Sequence, residues 1–196
     1  MALRFDFDNS LQAAAYLLHL EEGRMPFRRL VRLMYVAERE LLAQTATPLT
    51  GDIYKATEHG PVLGHVFDLV MGKGSRSAEW ECFIKRSGYA VNLVNEPGRG
   101  RLSGDVVDKL VEVSQRYREK GDWTTRDLAR EFPEWEKNFP GEEPTLIPLK
   151  DILDAQGEGQ ETLDLINEGE AVRHHMSSIF APRKPNMPPE PVESVQ

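Results

Sequence analysis

The segment TGDIYKATEHGPVLGHVFDLV, residues 50–70, decides how this chain folds, because it combines a turn, an extended run and the start of a helix. Its first part includes Gly51 and Asp52, which are residue types that form turns. The following run IYKAT, residues 53–57, alternates in polarity and contains residues that favour β-structure. The segment therefore predicts a turn that leads into a short strand.

The second part of the segment predicts a helix that begins at Gly60 and Pro61. The residue before a proline is disfavoured in the α-helical region, and proline fits the first turn of a helix because no N–H is needed there. Tyr54 and His59 would then lie just ahead of a helix start. Because backbone N–H groups point outward at such a position, it is a candidate place for a ligand or a partner.

The segment upstream, PFRRLVRLMYVAERELLAQT at residues 26–45, is the strongest predicted helix in the chain. One of its faces is apolar and consists of Phe27, Leu30, Val31, Met34, Leu41 and Leu42. Four arginines lie mostly on its other faces, namely Arg28, Arg29, Arg32 and Arg39. For the run RRLVRL, which holds the first three, the simpler interpretation is a solvated face, and the alternative is a surface that binds an anionic group. We therefore expect this helix to pack on one side only.

Glu38 interrupts the apolar face of this helix, because its position follows the helical spacing set by Val31 and Met34. A carboxylate there must find a partner, take up a proton or reach water. Two interpretations are open. Either Glu38 lies at the edge of the stripe and reaches solvent, or it is a buried acceptor for backbone N–H groups or a basic side chain. The second interpretation predicts that the helix start at residues 60–65 supplies the donors.

The rest of the chain has the pattern of a mainly helical α+β protein. Further helices are predicted at residues 9–21, 103–120 and 160–179. Two β-rich runs at 82–86 and 89–94 flank Ser87 and Gly88, which predicts a hairpin. We expect a compact helical body with a small antiparallel β-hairpin or sheet.

The last predicted helix carries an apolar stripe, the face that we expect to be buried. This stripe consists of Thr162, Leu165, Val172, Met176 and Ile179. The proline-rich residues 181–196 have little that could be buried and are expected to be disordered or polyproline-like. The predicted organisation is a domain over 1–155, a helical extension over 156–180 and the tail over 181–196.

Composition predicts a soluble protein with a net charge of −8. No apolar run is long enough to span a membrane, and the first residues lack the apolar core of a secretory signal. One cysteine, Cys82, cannot form an internal disulfide, so a reducing cytoplasm is the simplest location.

The charge is distributed unevenly along the chain. Residues 1–101 hold 13 Lys and Arg against 12 Asp and Glu, whereas residues 102–196 hold 11 against 20. An acidic surface repels phosphate backbones, which argues against nucleic acid as the main ligand. The acidic excess is compatible with a basic protein partner, and it also has the simpler interpretation of keeping the protein soluble.

No motif in the sequence specifies catalysis, a cofactor or a metal ion. His174 and His175 are neighbours on a predicted helix and would point about 100° apart, so one ion rarely binds both. Glu38 with His59 or His65 is a conceivable acid–base set for a small hydrolase, but no nucleophile or oxyanion motif accompanies it. The prediction is a protein without catalytic residues, cofactor or metal site.

Three motifs, in their order along the chain, resemble the Panacea, or SocA-like, antitoxin family. The first is LMYVAER at residues 33–39, the second PLTGDIY at 48–54 and the third GPV at 60–62. The downstream run LSGDVVDKLVEVSQRY, residues 102–117, is similar to the first of a pair of helices in that family. The resemblance spans roughly residues 8–153.

The resemblance implies an antitoxin that neutralises a protein toxin by binding it directly and covering its active site, with the toxin encoded by an adjacent gene. An alternative within the family is a proteolysis adaptor that delivers the toxin to a protease. Candidate toxin contacts are Tyr54, His59, Gly60, Pro61 and Arg39, since aromatic and arginine side chains dominate binding hot spots. Candidate structural residues of the shared motifs are Tyr35, Glu38, Gly51 and Asp52. For Tyr54, a packed position in a strand is the open alternative.

Overall fold

The computed structural model describes residues 3–119, 127, 131–139 and 141–179, and the predicted tail at 181–196 lies outside these ranges. The helices are α1 (Phe7–Leu20), α2 (Phe27–Thr45), α3 (Gly64–Val70), α4 (Ser77–Glu81), α5 (Gly104–Arg116), α6 (Pro133–Asn138), α7 (Leu149–Asp154) and α8 (Gln160–Ile179). The strands are β1 (Arg24–Pro26), β2 (Tyr54–Thr57), β3 (Gly60–Leu63), β4 (Ile84–Ser87), β5 (Ala90–Leu93) and β6 (Thr145–Leu146). Within the described residues, the strands form two antiparallel sheets of order β1-β5-β4 and β3-β2-β6. The predicted fold class, mainly helical α+β, is confirmed.

The central helix α2 is buried all round over residues 30–38, and not along one stripe as predicted. The elements α1, α5, α7 and β3 pack around it. A helix in this position is expected to be apolar on every side, and Arg32 and Glu38 are the polar exceptions. The prediction that Arg32 is solvated is wrong, because β3 and the turn before it cover this part of the helix.

Residues 60–63 form strand β3 and not the first turn of a helix. The strand β3 pairs antiparallel with β2, so that Thr57 lies opposite Gly60 and the pair Glu58 and His59 forms the turn between them. We call residues 54–63, the two strands and their turn, the His59 hairpin. The prediction of a helix start at Gly60 is therefore wrong.

The physical reason for this error is that a Gly-Pro pair suits an edge strand as well as a helix start. The strand β3 lies at the edge of its sheet, where Pro61 is tolerated because its missing N–H would not pair with a neighbouring strand. Pairing with β2 decides between the two, and α3 begins only at Gly64.

The second predicted hairpin is present. Strands β4 and β5 pair with Ser87 opposite Ala90, and Gly88 and Tyr89 form the turn. Cys82, expected in the first strand of this hairpin, instead lies at the carboxyl end of α4. Strand β1 joins the other edge of β5, which ties the amino end of α2 to this sheet.

The last helix, α8, is present over the predicted residues, but its predicted stripe faces solvent. The large side chains of that stripe are about half exposed or more, at 52% for Leu165, 62% for Val172, 47% for Met176 and 57% for Ile179. Ile166 and Glu170 on another face are buried instead, and Leu163 packs partly against the core. The expectation that the stripe is buried is wrong, because the body contacts α8 through a different side.

Candidate partner-binding site

Glu38 is fully buried and accepts hydrogen bonds from the turn that follows α2. Its Oε2 accepts from the Thr50 backbone N at 2.7 Å and from Thr50 Oγ1 at 2.9 Å, and its Oε1 accepts from the Tyr54 hydroxyl at 3.0 Å. Of the two interpretations open from the sequence, the structure shows the buried acceptor. The expected donors at residues 60–65 are wrong, because β3 occupies most of that range and presents no helix start to Glu38.

Burial is the main influence on the acid–base properties of this cluster. It raises the pKa of Glu38 to about 7, and the hydrogen bonds from Thr50 and Tyr54 limit this rise because they favour the charged form. Burial, and then the Glu38 charge, raise the pKa of Tyr54 well above its usual value. Tyr54 therefore stays protonated and acts as the donor to Glu38.

Asp52 caps the amino end of α3, the role that the sequence had suggested for Glu38. Its Oδ1 accepts from the His65 backbone N at 2.8 Å, and its Oδ2 accepts from the Val66 backbone N at 2.9 Å. The same Oδ1 lies 2.7 Å from His65 Nδ1. A buried carboxylate at this place satisfies N–H groups that the helix itself cannot pair, and it faces the positive end of the helix dipole.

Gly51 allows the turn to pack directly against the amino-terminal residues. Its φ of +62° lies in the left-handed region, and a Cβ at this position would overlap the carbonyl oxygen of Arg4. Next to it, the Asp6 backbone N donates to the Thr50 carbonyl at 2.7 Å. The turn is thus fixed between α2, α3 and the chain segment before α1.

A third buried carboxylate, Glu134 of α6, bonds to two further polar residues of α2. It accepts from the Tyr35 hydroxyl at 2.9 Å and from Arg39 Nε at 2.7 Å, and it has no exposed side-chain surface. The guanidinium of Arg39 also lies 5.7 Å from the ring centroid of Phe132. Arg39, a predicted toxin contact, is therefore engaged in an internal ion pair with a residue far away in the sequence.

The tip of the His59 hairpin is exposed and is held from below by arginines of α2. Arg28 Nη2 lies 2.7 Å from His59 Nε2, and Arg32 Nη2 donates to the His59 carbonyl at 2.6 Å. Trp135 Nε1 donates to the Thr57 carbonyl at 2.7 Å. These contacts fix the orientation of an otherwise solvent-facing turn.

A groove of about 380 Å³ lies between α2, the His59 hairpin and α3. Apolar side chains line its floor, and the arginines that hold the hairpin stand at its rim, so we call it the arginine groove. The lining residues are Phe27, Arg28, Val31, Arg32, Thr57, Glu58, His59, Pro61, Val62, Phe67, Met71, Glu142 and Pro144. Such a site can bury an apolar side chain of a partner and donate hydrogen bonds next to it.

A second cleft, of about 570 Å³, lies beside the turn at Gly51 and has a more polar lining than the arginine groove. Several of its charges are paired internally. Arg101 lies 3.2 Å from Asp6, and Arg173 is paired with Glu170. Because apolar atoms make up a larger share of its lining, the arginine groove is the better candidate for burying an apolar side chain of a partner.

The predicted toxin contacts differ in their accessibility. Of the five, only His59 is exposed, since Tyr54, Gly60 and Pro61 are buried and Arg39 is nearly so. Pro61 still forms part of the floor of the groove. Their role in binding stays a prediction.

Sequence reasoning missed Arg28 and Arg32 as site residues, although both belong to the basic run RRLVRL of α2. The available signal was their spacing of four, which places both on one face of the helix. Phe67 of α3 was also missed, because its place in the groove depends on where the hairpin puts the helix start.

The conceivable acid–base set does not assemble. The hydrogen bonds of Glu38 go to Thr50 and Tyr54, whereas the ring of His65 contacts Asp52 and that of His59 contacts Arg28. Among the described residues, no three side chains of His, Cys, Asp or Glu come together in a way that could hold a metal ion. In the same part of the chain, none of the helices is both long and apolar enough to cross a membrane.

The fold and the site define a mainly helical α+β protein with a pre-formed apolar groove on its surface. The family model described as antitoxin SocA-like, Panacea domain, matches residues 30–136. The chain belongs to this family, as the motifs had indicated, and the family indicates a role that is not enzymatic. No curated protein and no solved structure matches the chain.

Proposed function

We propose that this protein is the antitoxin of a type II toxin–antitoxin system and neutralises a cognate protein toxin by direct binding. Membership of the antitoxin family supports an antitoxin role in general. The arginine groove is the observation that supports direct binding, because it combines apolar floor residues with arginines at the rim. We further propose that the toxin is encoded by an adjacent reading frame and meets this protein in the cytoplasm.

The groove suits a side chain of a protein partner for two reasons. Its size accommodates one large apolar anchor, and buried anchors of this kind provide much of the free energy of binding at protein interfaces. The contacts of Arg28 and Arg32 with His59 also orient the rim before binding, which reduces the entropy cost of association. The lining also includes Glu58 and Glu142, so the match we expect is an apolar residue of the toxin with a carboxylate placed against Arg28 and away from these two glutamates.

Co-expression with the product of the adjacent reading frame tests the proposal. The wild type should restore growth and co-purify with that product. Arg28→Glu should lose both properties, because it places a negative charge next to the carboxylate that we expect on the toxin. Arg99→Glu is the matched control, since it makes the same charge change at an exposed site outside the groove. Equal protection by Arg28→Glu and the wild type, with both folded, would rule out the groove as the binding site.

The lifetime of the toxin in the same cells separates neutralisation from delivery to a protease. Direct neutralisation predicts that the toxin persists in a complex with this protein. Rapid loss of the toxin, dependent on this protein and on a protease, would instead establish the adaptor role.

A further inference from the structure

The helix α8 carries an apolar seam that no described residue of the chain covers. Four of the eight large apolar side chains that are exposed in the described part of the protein lie on this helix. They are Leu165, Val172, Met176 and Ile179. A contiguous apolar surface of this kind usually marks an interface.

The seam has the spacing of a coiled coil. Leu165, Val172 and Ile179 are seven residues apart and occupy one core position of a heptad repeat. Thr162, Gly169 and Met176 occupy the other core position, three residues before each of them. We call these six residues the α8 seam.

The α8 seam is accessible to another helix because the body of the protein packs against a different side of α8. Ile166 and Glu170 face the body and are buried. Glu170 also lies 3.3 Å from the Arg4 backbone N and is paired with Arg173, which fixes the rotation of the helix.

We propose that the α8 seam binds the α8 seam of a second copy of this chain, in an antiparallel two-helix coiled coil. In an antiparallel pair the two core positions face each other across a two-fold axis. When the midpoints of the two helices lie side by side, Leu165 is opposite Met176 of the partner subunit and Gly169 is opposite Val172 of the partner subunit. The small residue then faces a branched one, which fills the layer without overlap.

The charges of α8 favour the antiparallel direction. Its first half, residues 160–169, carries Glu161, Asp164 and Glu168, whereas the fully charged residues of its second half are Glu170 and Arg173, which pair with each other. Antiparallel alignment places the acidic half of one helix next to the half of the other whose charges are balanced, whereas parallel alignment would bring two acidic halves together. The seam is short, so the dimer should form at micromolar concentrations or above, and not as an obligate assembly.

Sedimentation of the full chain across micromolar to millimolar concentrations tests the dimer. The wild type should show a reversible monomer–dimer equilibrium, and Val172→Glu should weaken it at least tenfold, because the two-fold axis introduces the charge twice. Val94→Glu is the matched control, since Val94 is 48% exposed and lies outside α8, and it should leave the equilibrium unchanged. A wild type that stays monomeric throughout, or an equal effect of both variants, would overturn the proposal.

Disulfide formation tests the direction and register, in a Cys82→Ser background that removes the natural thiol. A chain with Leu165→Cys should cross-link to a chain with Met176→Cys when the two are mixed. Neither should cross-link to itself, because like positions are about 16 Å apart in this register and a disulfide needs Cα atoms within about 7 Å. Self-linking of either variant would indicate a parallel pair and contradict the proposal. Loss of toxin binding in Val172→Glu of a monomeric protein would assign the seam to the toxin instead.

Discussion

The region around the turn at residues 50–52 and the helix α8 place polar and apolar groups in opposite ways. The first region buries the carboxylates of Glu38, Asp52 and Glu134 and pairs each of them with hydrogen-bond donors. The helix α8 exposes an apolar seam to solvent. The polar groups of the first region bond to other groups of the same protein, whereas the apolar side chains of α8 are exposed to a binding partner.

This difference shows that the residues of a short sequence motif need not be the residues that form a binding surface. The motif residues Tyr54 and Arg39 have polar side chains suited to recognition, but both donate to buried carboxylates of their own chain. The residues that remain accessible are His59 and Arg28, whose side chains contact each other. The family match ends at residue 136, so α8 lies outside the matched region.

The largest effect should come from Gly51→Ala, which tests how tightly the turn is packed. The variant combines a left-handed backbone with an overlap against Arg4, so we expect it to lose about 4 kcal/mol or more of unfolding free energy. Gly88→Ala is the control, because Gly88 has a similar φ of +61° and open space around it. It should lose only about 1–2 kcal/mol. Equal losses in chemical denaturation would show that the turn is not closely packed.

Removing one partner of the buried ion pair between Arg39 and Glu134 should reduce the free energy of unfolding by nearly as much. Arg39→Ala leaves Glu134 charged and buried, so we expect a loss of about 3–5 kcal/mol in the free energy of unfolding. The double variant Arg39→Ala/Glu134→Gln should recover part of this loss, because no unpaired charge remains. A change below 1 kcal/mol in the single variant, a threshold well under the cost of about 3 kcal/mol for a stranded buried charge, would mean that Glu134 reaches water.

Glu38 should make stability depend on pH in a direction unusual for a carboxylate. Its pKa is raised in the folded protein from an ordinary value of 4.5 to about 7, so the folded state binds the proton more tightly than the unfolded state. The resulting stability is fully present below the unfolded pKa and is lost as pH rises through about 7. The loss should amount to about 3 kcal/mol.

Glu38→Gln isolates this contribution from those of other titrating groups. The difference in unfolding free energy between the wild type and this variant should change by about 3 kcal/mol between acidic and mildly alkaline pH. Denaturant titrations at several pH values measure it. A difference that stays constant with pH would show that Glu38 has the same pKa in both states.

The smallest effect should come from the α8 seam, measured at concentrations at which the protein is monomeric. Ile179→Ala should change the unfolding free energy by less than about 0.5 kcal/mol, because Ile179 is mostly exposed. Ile166→Ala on the same helix should cost about 2–4 kcal/mol, since Ile166 is fully buried. Similar costs for the two variants would mean that the seam packs against the body after all.

The sequence predicted those parts of the fold that depend on local pattern. Helices α2, α5 and α8 follow from their apolar periodicity, and the β4–β5 hairpin follows from the turn residues between its strands. The burial of Glu38 was one of two open interpretations, because a carboxylate on an apolar stripe shows that it needs a partner but not which one.

The parts that were missed depend on contacts between distant segments. The pairing of β3 with β2 decides that Pro61 belongs to a strand, and Glu134 reaches Tyr35 from almost a hundred residues away in the chain. For α8, the apolar stripe is a correct description of the sequence, but periodicity does not tell whether such a stripe packs against its own chain or against another.

Hydrogen–deuterium exchange of this protein, free and mixed with its cognate toxin, tests the central claim most directly. The claim is that the protein binds the toxin through the arginine groove and the exposed turn of the His59 hairpin. We predict that backbone amides of residues 54–63 exchange more slowly in the complex, while those of residues 171–179 are unchanged at concentrations below dimerisation. Unchanged exchange over residues 54–63, with protection confined to another surface, would contradict the account.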